Sequence, residues 1–367
     1  MLNMEQHRGS AVRTPINGVP VQKRSKSYRL SYGSCLGAAS RFGFTPTLTA
    51  RRFSTTRRVS KLHNVKEKIN ADQLALLVKM EWKLSYVTPL YQFRHTKLKS
   101  YSRQLSVFIT AEKQQGLAVD VDRVQNSYRV SFSLVHGMAG TDDAETVLIQ
   151  VHSKHMFAKK DEPQKLIWSG WLTCMNGNSD YLGSLPKDFI CLPLFGSSGP
   201  EDLTSLVQSW FKQNFDCCIG PLEISHTSLQ WLAALWTNCH NEDNIQHLKL
   251  IWSLPVAPPL QITYTVDPQD AWDLWGSVRK GSGAEKVREE EEPGKIIDID
   301  EVMSFMQGLN SHFYKHFRLD LSSGSLKEVA TSLGSAKYNG KIKISNSKYM
   351  ITTLTLLTEG ALLKMPI

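Results

Sequence analysis

The sequence predicts an α+β protein with an extended, mainly antiparallel β-sheet and packed helices, preceded by a disordered basic N-terminal tail. Two observations support this prediction. Segments in which apolar and polar residues alternate recur between turn residues, as in half-buried strands. Segments with apolar residues three and four positions apart lie between them, as in helices that pack on a sheet. The hydrophobic content of 41% is ordinary for a globular core.

The first 66 of the 367 residues are strongly basic, with thirteen Lys/Arg and a single acid, Glu5. This arm has few periodic apolar residues and many Ser, Thr, Gly and Pro, which predicts disorder over residues 1–66. A basic arm on a nearly neutral body indicates a polyanionic partner, most often nucleic acid. A solubilising or localisation tail without a specific contact explains the composition equally well.

Two Thr-Pro dipeptides near basic residues make Thr14 and Thr45 candidate phosphorylation sites in this arm. Phosphorylation there would lower the positive charge locally. The arm is also rich in Arg and Ser and poor in acids, as mitochondrial transit peptides are. A mitochondrial enzyme with a cleaved presequence is therefore a minor alternative.

One folded domain is expected over residues 67–367. In its first half, aromatic and branched residues predict a strand over residues 86–93, with Pro89 marking an edge or bulge. Helical spacing predicts a helix from Leu98 to Glu112, and strict alternation predicts a strand over residues 128–134. Further strands are predicted at residues 147–151, 166–173, 189–195 and 215–224, and a further helix at residues 203–211.

In the second half of the domain, the same kinds of pattern predict further helices and strands. Helices are predicted at residues 228–239, from Asp267 onward, at 299–313 and at 349–365, and strands at 248–254, 261–266 and 341–344. Residues 277–297 are predicted to form a flexible acidic loop, because glycines precede the run Glu289 to Glu292. The apolar C-terminal segment is short for a membrane span and contains Glu359, so a buried helix is favoured.

The sequence contains none of the common nucleotide-binding or hydrolase motifs, and no catalytic residue or cofactor is predicted. His312 and His316 have the spacing of metal ligands on a helix, but Phe313 stands where a metalloprotease needs Glu. Packing among aromatic residues is the favoured role of both histidines. The six cysteines form no Cys-x-x-Cys pair, no metal site is predicted, and reduced thiols fit a nuclear or cytosolic compartment.

Four lysines near the C-terminus are the candidate DNA-contacting residues: Lys337, Lys341, Lys343 and Lys348. On a strand, Lys341 and Lys343 share one face, and the isoleucines that alternate with them face the other way. Such a face could follow a phosphate backbone, with each contact adding salt-dependent affinity. An equally weighted alternative is that lysines on an edge strand prevent aggregation.

Several segments, in order along the chain, resemble the centromere protein L family. They run from about residue 73 to residue 357, and their order and spacing together are specific. They include Thr88-Pro89-Leu90-Tyr91, Trp168-Ser169-Gly170-Trp171, Cys191-Leu192-Pro193-Leu194-Phe195, the stretch from Trp231 to Cys239, and Gly340-Lys341-Ile342-Lys343-Ile344. The basic tail and the acidic run depart from the family pattern.

The resemblance implies a non-enzymatic structural subunit of the inner kinetochore, within the constitutive centromere-associated network. It implies a heterodimer with centromere protein N through the C-terminal half, beside centromere protein C and the H-I-K-M assembly. It also implies contact with centromeric DNA in the nucleus during chromosome segregation in mitosis, without a membrane or a small-molecule substrate. The alternative function is a stand-alone nucleic-acid-binding protein that acts through its basic N-terminal arm.

Overall fold

The computed structural model describes residues 75, 77, 78, 80–114, 128–139, 143–153, 164–239, 247–281 and 297–365. The predicted tail, with Thr14 and Thr45, lies outside these residues. Of the predicted acidic loop, residues 277–281 continue a helix, residue 297 is buried, and the remainder also lies outside the described residues.

Seven helices occur in the described part of the chain, and they include every helix predicted above. They are α1 (Leu98–Gln114), α2 (Ser179–Ser184), α3 (Glu201–Phe215), α4 (His226–Asn238), α5 (Pro268–Gly281), α6 (Ile299–Phe317) and α7 (Met350–Leu363). Local chemistry sets their ends. Helix α6 begins with a reciprocal capping box between Asp298 and Glu301 and ends at Arg318, whose φ of 56° is left-handed.

Thirteen strands occur in the same described residues. They are β1 (Glu81–Val87), β2 (Leu90–Tyr91), β3 (Tyr128–Val135), β4 (Thr146–Ser153), β5 (Lys165–Thr173), β6 (Phe189–Ile190), β7 (Leu194–Ser198), β8 (Ile219–Pro221), β9 (Leu248–Leu254), β10 (Leu260–Val266), β11 (Ser325–Thr331), β12 (Gly334–Lys337) and β13 (Lys341–Ile344). Each described strand pair is antiparallel.

Eleven of these strands form one sheet, in the order β10-β9-β11-β12-β13-β1-β7-β5-β4-β3, with β8 also paired to β1. The strands β2 and β6 form a separate two-stranded sheet. The predicted class, an α+β fold around an extended antiparallel sheet, is confirmed. Strand β1 lies between the strands of the first and second halves of the sequence and so joins them.

Helices cover opposite faces of the large sheet at its two ends. Side chains of α1 and α3 share a core with Val147 and Ile149 of β4. Helices α4 to α7 share a second core with Trp82 of β1 and with Ile342 of β13. Leu148, between the two β4 residues of the first core, belongs to the second core. Successive strand residues point to opposite faces, so the two cores lie on opposite sides of the sheet.

Three strand predictions need correction. The predicted strand over residues 215–224 is only Ile219–Pro221, because Asp216 closes α3 with a φ of 44° and β13 already pairs with the first half of β1. Residues 189–195 form two short strands separated by a segment that contains Pro193, which lacks a backbone N–H. The strand predicted at 86–93 is mostly earlier, at Glu81–Val87. Strands β11 and β12 were not predicted.

One edge of the large sheet, β3, is hydrogen-bonded by helix α1. The Ser102 hydroxyl accepts the Phe132 backbone N–H at 3.0 Å, and the Ser106 hydroxyl donates to the Tyr128 carbonyl. These serines lie one helical turn apart and occupy backbone groups that an edge strand otherwise offers to another chain. The β3 edge is therefore protected within the fold.

We predict that Ser102→Ala destabilises the protein by about 1–3 kcal/mol, because the Phe132 N–H is left buried without its acceptor. The matched control is Ser100→Ala, an exposed position on the same helix. Urea unfolding followed by circular dichroism measures both variants. Equal stability of the two variants would contradict the role given to Ser102.

We further predict that Gly340→Ala costs about 2–4 kcal/mol, because its φ of 82° is left-handed and an added Cβ would lie 2.3 Å from the Leu222 carbonyl oxygen. Gly340 forms the turn between β12 and β13. The control is Gly276→Ala in α5, where a Cβ meets no atom within 4 Å. Ala there should stabilise the protein by about 0.5–1 kcal/mol. Thermal unfolding that ranks the two variants otherwise would refute this account of the turn.

Candidate nucleic-acid and partner interfaces

Three of the four predicted lysines lie on the hairpin of β12 and β13. Lys337 ends β12, and Lys341 and Lys343 alternate on β13 with the buried Ile342 and Ile344. The expected common face of Lys341 and Lys343 is thus confirmed. The backbone of Lys348 lies beyond β13, in a short 3₁₀ helix (Ser347–Tyr349) that leads into α7. The fourth lysine is therefore not part of the strand.

Strand register adds two lysines that the sequence analysis missed. Lys83 of β1 lies directly opposite Lys341, and Glu81 lies opposite Lys343. On the other side of the hairpin, Ser335 is opposite Lys343 and Ala330, and Ala330 is opposite Lys249 of β9. All of these residues point away from the core that α4 to α7 cover. The start of α3 borders this face at Glu201, and the residues of the face are exposed or half-buried. We call it the lysine face: Lys83, Lys249, Lys337, Lys341 and Lys343, with Glu81 and Glu328.

Three ion pairs neutralise part of the lysine face. Lys341 Nζ lies 3.1 Å from Glu81 Oε1, and Lys337 Nζ lies 3.6 Å from Glu328 Oε2. Lys83 Nζ lies 3.0 Å from Glu201 Oε1, in the first turn of α3. The side chains of Lys83 and Lys341 remain 47% and 45% exposed, so water screens their pairs strongly. Lys343 and Lys249 are exposed and have no ion pair with another described residue.

The second edge of the large sheet, β10, differs from the β3 edge. Strand β10 pairs along its whole length with β9, and no other described strand pairs with it. Its side chains at Gln261, Thr263 and Thr265 are exposed. An open strand edge of seven residues is a ready template for pairing with another chain.

Exposed apolar residues accompany this open edge. They are Val256 and Leu260 at the turn into β10, and Tyr314, Phe317 and Leu319 at the end of α6, with exposed fractions of 51%, 46%, 49%, 59% and 46%. Helix α6 contacts β10, since the Tyr264 ring packs edge-on against Phe313 with 5.0 Å between the ring centroids. The Phe317 ring lies 4.6 Å from that of Phe313. We call β10 and these five residues the β10 edge surface. Apolar groups beside an unpaired strand are typical of a protein interface.

The predicted packing role of His312 is confirmed at this surface. Its Nδ1 lies 2.6 Å from the Tyr264 hydroxyl. Burial, and then the Asp270 carboxylate, raise the pKa of Tyr264 to about 12, so this phenol is protonated at neutral pH and can donate to His312. The His316 ring lies tilted against the His312 ring, with 4.6 Å between the ring centroids. In the described part of the chain, no three His, Cys, Asp or Glu side chains are grouped as a metal site would need.

The remaining sequence expectations concern cysteines and the C-terminal helix. Cys217 is buried and the adjacent Cys218 is exposed. The C-terminal segment forms α7 and packs in the core of the second half, as expected. Among the helices that the structure describes, none has the length and apolar character needed to cross a bilayer.

Comparison with known proteins matches the whole folded part to one family. The family model of centromere protein L matches residues 76–362. Centromere protein L of Danio rerio is 52% identical over 368 aligned positions, which cover 100% of this chain and 96% of the relative. The Homo sapiens protein of that name is 38% identical, covering 95% and 93%, and the Gallus gallus protein is 43% identical, covering 80% and 82%. The chain therefore belongs to the centromere protein L family, and with it to the proteins of the nuclear centromere and kinetochore that serve chromosome segregation.

Proposed function

We propose that this chain is a non-enzymatic structural subunit of the inner kinetochore that presents its lysine face to centromeric DNA and pairs with centromere protein N. The observation that carries the proposal is the open half of the sheet. One face of strands β9 to β13 is exposed or half-buried, and the outer edge of β10 pairs with no other described strand. This face and this edge differ in chemistry. The face is basic and polar, whereas the edge is flanked by apolar side chains.

The lysine face is suited to a phosphate backbone rather than to base edges. Neighbouring strands lie about 4.8 Å apart, so Lys337, Lys341 and Lys83 form a row across three consecutive strands. Ammonium groups on such a row can contact successive phosphates without reading sequence. This arrangement supports sequence-independent contact with DNA near a centromeric nucleosome.

The β10 edge surface is suited to a protein partner. Main-chain hydrogen bonds from β10 to a partner strand would give affinity, and Leu260 and Phe317 would lose water on contact. The opposite edge, β3, is already bonded by α1. We therefore assign the pairing with centromere protein N to the β10 edge, which lies in the C-terminal half as the family resemblance implies. Centromere protein C and the H-I-K-M assembly are proposed as further neighbours, with no surface assigned to them.

The second candidate function is a stand-alone nucleic-acid-binding protein that acts through residues 1–66. The excess of basic residues in that arm favours it. The two candidates differ in one measurable way. Deletion of residues 1–66 abolishes DNA binding if the arm acts alone, and leaves both partner assembly and lysine-face binding in place if the first proposal holds.

We predict that Lys341→Gln/Lys343→Gln weakens binding to duplex DNA. The plot of log affinity against log salt should become shallower by up to about 1.8, which is about 0.9 per lost phosphate contact. Fluorescence polarisation at several salt concentrations gives both quantities. The matched control is Lys280→Gln/Lys315→Gln, two exposed lysines of α5 and α6 on the opposite side of the sheet. Equal binding by the two double variants would contradict DNA contact at the lysine face.

We also predict that Leu260→Asp/Phe317→Asp prevents co-elution with centromere protein N in size exclusion, because charges would then be buried at the interface. The control is Met303→Asp, since Met303 is 63% exposed on the same helix α6 but outside the β10 edge surface. Circular dichroism checks that each variant is folded. A stable complex of the double variant with centromere protein N would contradict pairing at the β10 edge.

A further inference from the structure

Two lysines of the lysine face form ion pairs with carboxylates that come from different parts of the fold. Glu81 of β1 reaches diagonally to Lys341 of β13, with 3.1 Å between Oε1 and Nζ. Glu201, in the first turn of α3, reaches Lys83 of β1 at 3.0 Å. All four side chains line one surface groove between β1, β13 and the start of α3. Two glutamates and two lysines thus form a compact set of alternating charges.

Strand register explains why these carboxylates lie there. Lys83 and Lys341 are directly opposite on neighbouring antiparallel strands, where side chains lie about 4.5–5.5 Å apart and like charges repel. Glu81 and Glu201 offset this repulsion in the free protein. The same contacts place a carboxylate at each position that a phosphate oxygen would take.

We propose that Glu81 and Glu201 compete with phosphate for Lys341 and Lys83, and so make the lysine face selective for the dense charge of duplex DNA over single strands and isolated anions. This inference rests on the proposed DNA contact and adds a selectivity device to it. A phosphate can bind either lysine only after its carboxylate is displaced. Each displacement has the same cost for every anion, whereas the electrostatic gain grows with the charge density of the ligand.

Of these ligands, duplex DNA has an electrostatic gain large enough to displace both carboxylates together. It carries one negative charge per about 1.7 Å of its axis, whereas each strand taken alone has one per about 3.4 Å. A released carboxylate also takes up counterions when the phosphate replaces it. The two paired lysines therefore contribute less to the salt dependence of binding than Lys343 and Lys249, which have no ion pair with another described residue.

The test is Glu81→Gln/Glu201→Gln in the full-length chain, with labelled duplex and single-stranded DNA of about 30 positions and salt from about 50 to 200 mM. We expect duplex affinity to rise by about 3- to 10-fold, and the salt slope to steepen by up to about 1.8. We expect single-strand affinity to rise by a larger factor, so that the preference for duplex shrinks. Glu201 is 67% exposed, so Glu201→Gln alone serves as a second variant if the double variant fails to fold.

The matched control removes two negative charges elsewhere. Asp273→Asn/Asp300→Asn lies on α5 and α6, across the sheet from the lysine face, and both positions are exposed. Equal duplex affinity, slope and preference in the two double variants would overturn the inference. If Lys341→Gln/Lys343→Gln also leaves duplex binding unchanged, the proposed DNA contact fails. If that variant weakens binding while the glutamate variant matches its control, only the competition is refuted.

Discussion

Strand β1 is the constraint on which the other features depend. It pairs with β7 along one side, and with β13 and then β8 along the other, so it joins the two halves of the large sheet. The alternation of its side chains determines which face of the sheet each residue occupies where the two halves join. Trp82 enters the core under α4 to α7, while Lys83 points to the opposite side. A one-residue slip in its pairing with β13 would bury lysine and expose tryptophan, so the register is strongly specified.

The same alternation explains why the two ends of the sheet differ in surface chemistry. At the β3 end, both faces of the sheet carry apolar residues and α1 bonds the edge strand, so that end is closed by the fold itself. At the β10 end, helices lie on one face, and the other face is polar. Among the described strands, β10 pairs only with β9, and apolar side chains of α6 and of the turn into β10 are exposed. We propose that this edge contacts another chain and that the lysines contact DNA.

Local patterns predicted much of this structure. Alternation alone placed Lys341 and Lys343 on one face, and helical spacing found α1, α3, α4 and α6. The apolar character of the C-terminal segment indicated α7. Strands β11 and β12 escaped prediction because they carry Ser, Lys and Glu rather than runs of branched residues. Lys83 and Lys249 escaped because their place on the lysine face depends on register between segments roughly 80 to 260 residues apart, which no local pattern records. The open β10 edge likewise depends on strand order, a property of the whole sheet.

The central claim is that the lysine face is the surface that meets DNA. Amine-reactive labelling of the full-length chain, with and without duplex DNA and followed by mass spectrometry, tests it most directly. The account predicts reduced labelling of Lys83, Lys249, Lys341 and Lys343 on addition of DNA, and unchanged labelling of Lys280 and Lys315. Protection confined to the lysines of residues 1–66, or equal protection on both sides of the sheet, would contradict it.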